Sequence, residues 1–336
     1  MKERIHKTRW GDIHYWISAV VPASVRDETA SAVEGASAVE GASAVEDASA
    51  VEGASAVEGA TGVEGATGAE GLSGVEEGSS GEAIRSPQLV FLPGLTADHR
   101  LFLKQIRYFE NRYPVFVWDA PGHADSWPFE FNFDLADKAR WLDEILVKEG
   151  FDDPIIIGQS MGGYLGQMYE QLFPEKLRGL FLIDSPSLKR EFYTGAELWL
   201  LERMEPVYRY YPWKTLLKQG TEGVAESKYG RKLMYAMMMT YNGDKNRYAQ
   251  LAGHGYRILA KAVKSNLPYD ITCPVQVICG EKDHAGSCIR YAREWHKRIG
   301  IPLEWIKEAG HNANTDQPDL INSMIDKFVG GIATTK

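Results

Sequence analysis

The stretch Gly158-Gln159-Ser160-Met161-Gly162 constrains the fold of this chain most. It stands between the apolar run Pro154-Ile155-Ile156-Ile157 and a segment of helical character over residues 164–173. A buried strand that turns straight into a helix tolerates only small neighbours at the turn, because a Cβ at a flanking position would strike the adjoining strand or helix. Gly158, Gly162 and Gly163 meet that demand. Such a turn lifts the Ser160 hydroxyl clear of the sheet and directs the first N–H groups of the helix, with their positive dipole end, at the same place. Ser160 is therefore the candidate nucleophile.

A serine hydroxyl is a weak nucleophile at neutral pH and needs a base, which in turn needs an orienting acid. The run Pro274-Val275-Gln276-Val277-Ile278-Cys279 reads as a buried strand and ends in Gly280-Glu281-Lys282-Asp283, so Asp283 falls in the loop past its carboxyl end. The next such run, residues 303–306, leads into Glu308-Ala309-Gly310-His311. Asp283 is the expected acid and His311 the expected base. Asp184, at the end of the strand-like run Leu180-Phe181-Leu182-Ile183, is the rival acid, and a cap on a helix over residues 285–298 is the structural alternative for Asp283. His284 and His254 are rival bases, but His284 adjoins the acid and His254 lies in a helical region.

The order Ser160, Asp283, His311, with the serine turn in its strand-to-helix setting, resembles the α/β-hydrolases that carry a helical cap. Further motifs agree. Gln88-Leu89-Val90-Phe91-Leu92-Pro93-Gly94-Leu95 resembles the third strand and its oxyanion loop, with Pro93-Gly94 where the family often has His-Gly. Residues 115–126 resemble the fourth strand and the Asp-x-x-Gly-His-Gly-x-Ser loop, with Ala124 in place of the second glycine. The resemblance implies a mostly parallel eight-stranded sheet covered by helices on both faces, with a helical cap after the sixth strand. It also implies oxyanion donors at the backbone N–H groups of Leu95 and Met161. The implied activity is that of a serine hydrolase cleaving carboxylic esters of small molecules through an acyl-enzyme, without cofactor or metal. Thioesterases, carbon–carbon bond hydrolases and lyases such as the menaquinone-pathway synthase use the same three residues on anionic substrates and form the alternative. A non-catalytic ligand-binding protein of this fold is a second alternative. Epoxide hydrolases and haloalkane dehalogenases need an aspartate where Ser160 stands.

From Ala30 to Glu77 the chain runs through eight hexads, from Ala-Ser-Ala-Val-Glu-Gly to Leu-Ser-Gly-Val-Glu-Glu. One valine per hexad suits a left-handed parallel β-helix, but eight hexads make fewer than three coils of little buried area, so a disordered loop is expected. The hexads hold ten acidic and no basic residues, so of the totals of 46 acidic and 37 basic residues the rest of the chain keeps 36 and 37. The net charge of −9 thus belongs to the repeat, and nothing in the charge points to nucleic acid.

Cys273, Cys279 and Cys288 lack metal-like or disulfide-framework spacing. No apolar run approaches the roughly 20 residues of a membrane span, and the charged N-terminus alternates in strand fashion (Ile5, Trp10, Ile13, Tyr15, Ile17). A cytoplasmic protein acting on a small-molecule ester or related acyl substrate is expected. The organisation predicted is a strand hairpin in residues 1–29 (strands over 4–10 and 12–18), the repeat insert in 30–82, core in 83–186, helical cap in 187–268 and core again in 269–336. The cap is rich in aromatic and methionine residues and carries 14 Lys or Arg against 7 Asp or Glu. Most of those charges are expected to solvate helix faces, whereas one or two turned inward would select an anionic or carboxylate-bearing substrate.

Overall fold

The computed structural model describes residues 1–18 and 86–333, so the hexad repeat lies outside the described residues. The chain opens with β1 (Lys2–Lys7) and β2 (Asp12–Ile17), followed by β3 (Leu89–Leu92), α1 (Leu103–Phe109), β4 (Val115–Trp118) and α2 (Leu135–Lys148). Next come β5 (Ile155–Gln159), α3 (Met161–Leu172) and β6 (Gly179–Ile183). Residues 187–268 hold helices and no strand: α4 (Gly195–Leu201), α5 (Met204–Tyr210), α6 (Trp213–Glu222), α7 (Lys228–Met238) and α8 (Lys245–Lys264). The chain then passes through β7 (Val275–Gly280), α9 (Cys288–Ile299), β8 (Leu303–Ile306), the short α10 (Ala313–Asp316) and α11 (Pro318–Ala333).

The eight strands form one sheet in the order β1-β2-β4-β3-β5-β6-β7-β8. β1 pairs antiparallel with β2 and β2 antiparallel with β4, and every later pairing is parallel. β3 through β6 are buried along their whole length, as strands covered on both faces must be. Alternation along each strand divides the core in two. Val90, Phe116, Ile156 and Leu180 face Leu142 and Ile145 of α2 and Leu165 of α3. Leu89, Val115, Ile155 and Phe181 face Ile106 of α1 and Ile325 of α11.

Several boundaries differ from the sequence expectation by one to three residues, and side chains account for two of them. β1 stops at Lys7, because the Thr8 hydroxyl and amide both bond to the Gly11 carbonyl and close a turn. Trp10 leaves the strand and packs edge-on against Trp141, 5.2 Å between centroids. α9 starts at Cys288 rather than 285, because the Asp283 carboxylate takes the Ala285 amide and holds that segment as a loop. Ala124 holds a left-handed φ of 33° where the resembled loop has glycine.

β3 lies between β4 and β5, so the loops after β3 and β5 diverge to opposite sides and open a crevice at the carboxyl ends of the strands. Leu95 and Ser160 stand at its two lips.

Candidate active site

Ser160 joins β5 to α3 with φ 51° and ψ −117°, a conformation that a residue with a side chain adopts at a cost of about 1–3 kcal/mol. The surroundings hold it there. Its amide donates to the Ile183 carbonyl at 2.9 Å, and its own carbonyl accepts from the Gly163 amide at 2.9 Å. A Cβ at Gly162 would overlap the Leu92 carbonyl, and one at Gly158 would strike the Gly163 backbone, so the strand and helix close on the turn only with glycine at both positions.

Asp283 and His311 come from the loops after β7 and β8, and the fold brings both to Ser160. His311 Nε2 lies 2.8 Å from Ser160 Oγ, and His311 Nδ1 lies 2.9 Å from Asp283 Oδ2. Burial opposes the imidazolium, but the Asp283 carboxylate outweighs it and holds His311 above its ordinary value of 6.5. Burial likewise opposes the Asp283 carboxylate, yet the His311 charge and hydrogen bonds from His311, Cys288 and the Ala285 amide keep it below its usual range.

None of the three rivals is hydrogen-bonded to Ser160 or His311. The Asp184 oxygens accept the Gly280 amide at 2.7 Å and the Ala313 amide at 3.1 Å, tying the loop that carries Asp283 to the one that carries His311. His254 packs between Phe131 and Phe133, away from Ser160. His284 lines a cavity next to Ser160, without a hydrogen bond to it. Two contributors escaped the sequence reading. Gln159 is buried and its amide donates to the His311 carbonyl at 2.8 Å and to Asn312 Oδ1 at 3.0 Å, fixing the base loop against the serine turn. Cys279 and Cys288, nine positions apart with no recognisable spacing, meet at Asp283.

Among the described residues the Leu95 and Met161 amides have no acceptor, and both residues line the cavity beside Ser160. That cavity, of about 260 Å³, is walled by Tyr164, Tyr193, Leu201, Leu259 and Tyr291. A second, of about 360 Å³, shares Ser160 and His311 with the first and is walled by Tyr208, Leu216, Met234 and Tyr248. Among the described residues that line the two cavities there is no Lys or Arg, so none of the cations of residues 187–268 lines either of them. The basic residues of 187–268 are engaged elsewhere: Arg209 and Arg257 with Glu205, Lys264 with Glu202, Lys261 with Asp134, and Arg247 with the Ala124 carbonyl. No described helix is long and apolar enough to cross a membrane.

A family model described as "alpha/beta hydrolase fold" matches residues 87–318. The chain belongs to the α/β-hydrolase-fold family. It is 22% identical to RutD of Escherichia coli O44:H18 (strain 042 / EAEC), whose name proposes a carbamate hydrolase, over 71% of this chain and 88% of that one. It is 24% identical to 3-oxoadipate enol-lactonase 2 of Acinetobacter baylyi, over 73% of this chain and 89% of the relative. Among solved structures, the N-acyl homoserine lactonase AidH complexed with N-butanoyl homoserine superposes with a TM-score of 0.62 at 14% identity, covering 100% of this chain and 99% of that one. At that identity the likeness is one of fold.

Proposed function

We propose that this chain is a serine hydrolase that cleaves uncharged carboxylic esters of small molecules through an acyl-enzyme, with residues 187–268 as a cap over the site. The observation that carries the reading is the unbroken line from Ser160 Oγ to His311 Nε2 at 2.8 Å and from His311 Nδ1 to Asp283 at 2.9 Å. In this line Nδ1–H donates to the Asp283 carboxylate, so Nε2 carries the free lone pair and accepts the Ser160 proton. The Ser160 oxygen attacks the ester carbonyl, and the imidazolium that forms faces the Asp283 charge. The Leu95 and Met161 amides receive the developing oxyanion, a contribution of about 3–4 kcal/mol for each donor of this kind. Collapse expels the alcohol, protonated by His311. A water that gives its proton to His311 then releases the acid and restores Ser160.

The substrate's lack of charge follows from the walls. A carboxylate would meet Asp184, Glu197 and tyrosine rings in the smaller cavity and tyrosine rings in the larger, with no lysine or arginine in either to replace its hydration. The carbamate hydrolase and enol-lactonase names among the relatives belong to the same attack on a carbonyl bearing a heteroatom, and they support the reaction class. The alternative on anionic substrates has no cationic counterpart in these walls.

The test is a matched pair of p-nitrophenyl esters, a butanoate and a monoester of glutaric acid of similar length, with wild type and Ser160→Ala. Turnover of the butanoate at the higher kcat/KM, abolished in the variant, is expected. Preference for the glutarate would contradict the uncharged-substrate reading, and full activity in Ser160→Ala would contradict the mechanism.

A further inference from the structure

Two thiols lie against the carboxylate of Asp283. Cys279 near the end of β7, Asp283 in the following loop and Cys288 at the start of α9 are 0%, 4% and 6% exposed. One Sγ from each cysteine and a carboxylate oxygen all lie within 4.8 Å of one another. The Cys288 thiol lies close to both the carboxylate and the Cys279 thiol. Cys288 also lines the cavity beside Ser160, so a dissolved ion reaches the cluster through the space that a substrate would use.

We propose that Cys279, Asp283 and Cys288 form a binding site for a thiophilic divalent cation of the zinc type, and that occupying it switches off the neighbouring hydrolase site. With Zn–S bonds of about 2.3 Å and Zn–O bonds of about 2.0–2.2 Å, neighbouring ligand atoms on a tetrahedral ion stand about 3.5–3.8 Å apart. Closing the observed 4.8 Å span to that spacing asks about 1 Å of side-chain movement. Two sulfurs and one oxygen suit zinc, whereas magnesium and calcium take oxygen ligands. Binding forms two metal–sulfur bonds and one metal–oxygen bond, releases the two thiol protons to solvent, and leaves the fourth position to water. The Asp283 carboxylate then serves the ion. The metal-bound carboxylate turns from His311 Nδ1–H, and the imidazole is no longer held in line with Ser160; the cluster keeps its charge of −1, because the two thiolate charges cancel that of the ion. The inhibition rests on the proposed roles of Ser160, Asp283 and His311, whereas the metal site stands on its own geometry.

The experiment titrates the full chain with Zn²⁺ while following butanoate ester hydrolysis. In parallel it records the spectrum with Co²⁺ and maps which cysteines iodoacetamide alkylates after unfolding in the presence of metal. The expected result is inhibition reversed by EDTA, a thiolate-to-cobalt charge-transfer band, and metal protection of Cys279 and Cys288 but not of Cys273. Relative to each variant's own metal-free rate, Cys279→Ala and Cys288→Ser should each raise the half-inhibiting zinc concentration by at least about ten-fold. Cys273→Ala should leave it in place. Cys279→Ser replaces Cys279→Ala if thermal unfolding reveals that the latter is not folded. Absence of the cobalt band, or zinc inhibition unchanged in both cysteine variants, would overturn the site. If wild type turns over no ester, the cobalt band and the alkylation pattern still decide the metal site, and the hydrolase reading alone fails.

Discussion

Ser160 is held in a backbone conformation that suits glycine better than serine, so its replacement separates stability from chemistry. Ser160→Gly is expected to raise the melting temperature above that of Ser160→Ala, while both lose turnover by about 10⁴-fold or more. Calorimetry beside ester kinetics checks both halves, and equal melting temperatures would deny the strain. His311 gives a second prediction. In the proposed mechanism it accepts the Ser160 proton only when neutral, and the Asp283 carboxylate holds it above 6.5 against the effect of burial. The rate constant kcat/KM should therefore fall as pH drops through a midpoint above 6.5, a midpoint that belongs to the coupled pair. Asp283→Asn removes the raising charge, so the midpoint should move down and the plateau should fall by about 10⁴-fold. A pH–rate profile of the variant with an unmoved midpoint would contradict the pairing.

At the scale of elements, α4 forms part of the wall of the smaller cavity and is tied to the sheet side through Glu197. Its carboxylate takes the Thr194 amide and hydroxyl as a capping box, accepts from the Ser287 hydroxyl at 3.2 Å, and pairs with Arg290 of α9. Glu197→Ala removes the tie without touching Ser160 or His311. It should raise KM for the butanoate and leave kcat close to wild type. A fall in kcat with KM constant would place the helix in the chemical step instead. The strands of the parallel sheet were legible from the sequence because each is a short apolar run closed by glycine or by a polar loop. The ends that moved, at Lys7 and Cys288, were not, because side chains that the fold itself brings into place set them: Thr8 on Gly11 and Asp283 on Ala285. The same holds in the site. Chain order singled out Ser160, Asp283 and His311, since each ends a strand-like run. Gln159 was hidden because its partner is a backbone carbonyl 152 residues away. The cysteine pair at Asp283 was hidden because two of its members lie on different elements and match no spacing.

At the scale of the whole molecule, the eight-stranded sheet, the crevice and both cavities are built from residues 1–18 and 86–333. The hexads hold ten of the acidic residues, and removing residues 30–77 takes the formal net charge from −9 to +1. That deletion is expected to leave the melting temperature and kcat/KM at wild-type values while raising the isoelectric point. Loss of folding would mean that the repeat contributes to the body. The excess of seven positive charges over residues 187–268 left an anionic substrate open in the sequence, and in the structure Arg209, Lys261 and Lys264 pair with acidic residues while Arg247 meets the Ala124 carbonyl. Composition counts charges, whereas selectivity depends on which of them the walls present.

The central claim, an activated serine at residue 160, is most directly tested with an uncharged fluorophosphonate. Wild type and Ser160→Ala are treated side by side, followed by intact mass and peptide mapping. One adduct per chain, mapped to Ser160 and absent in the variant, is the expected result. An unlabelled wild type, or an adduct on another residue, would contradict it.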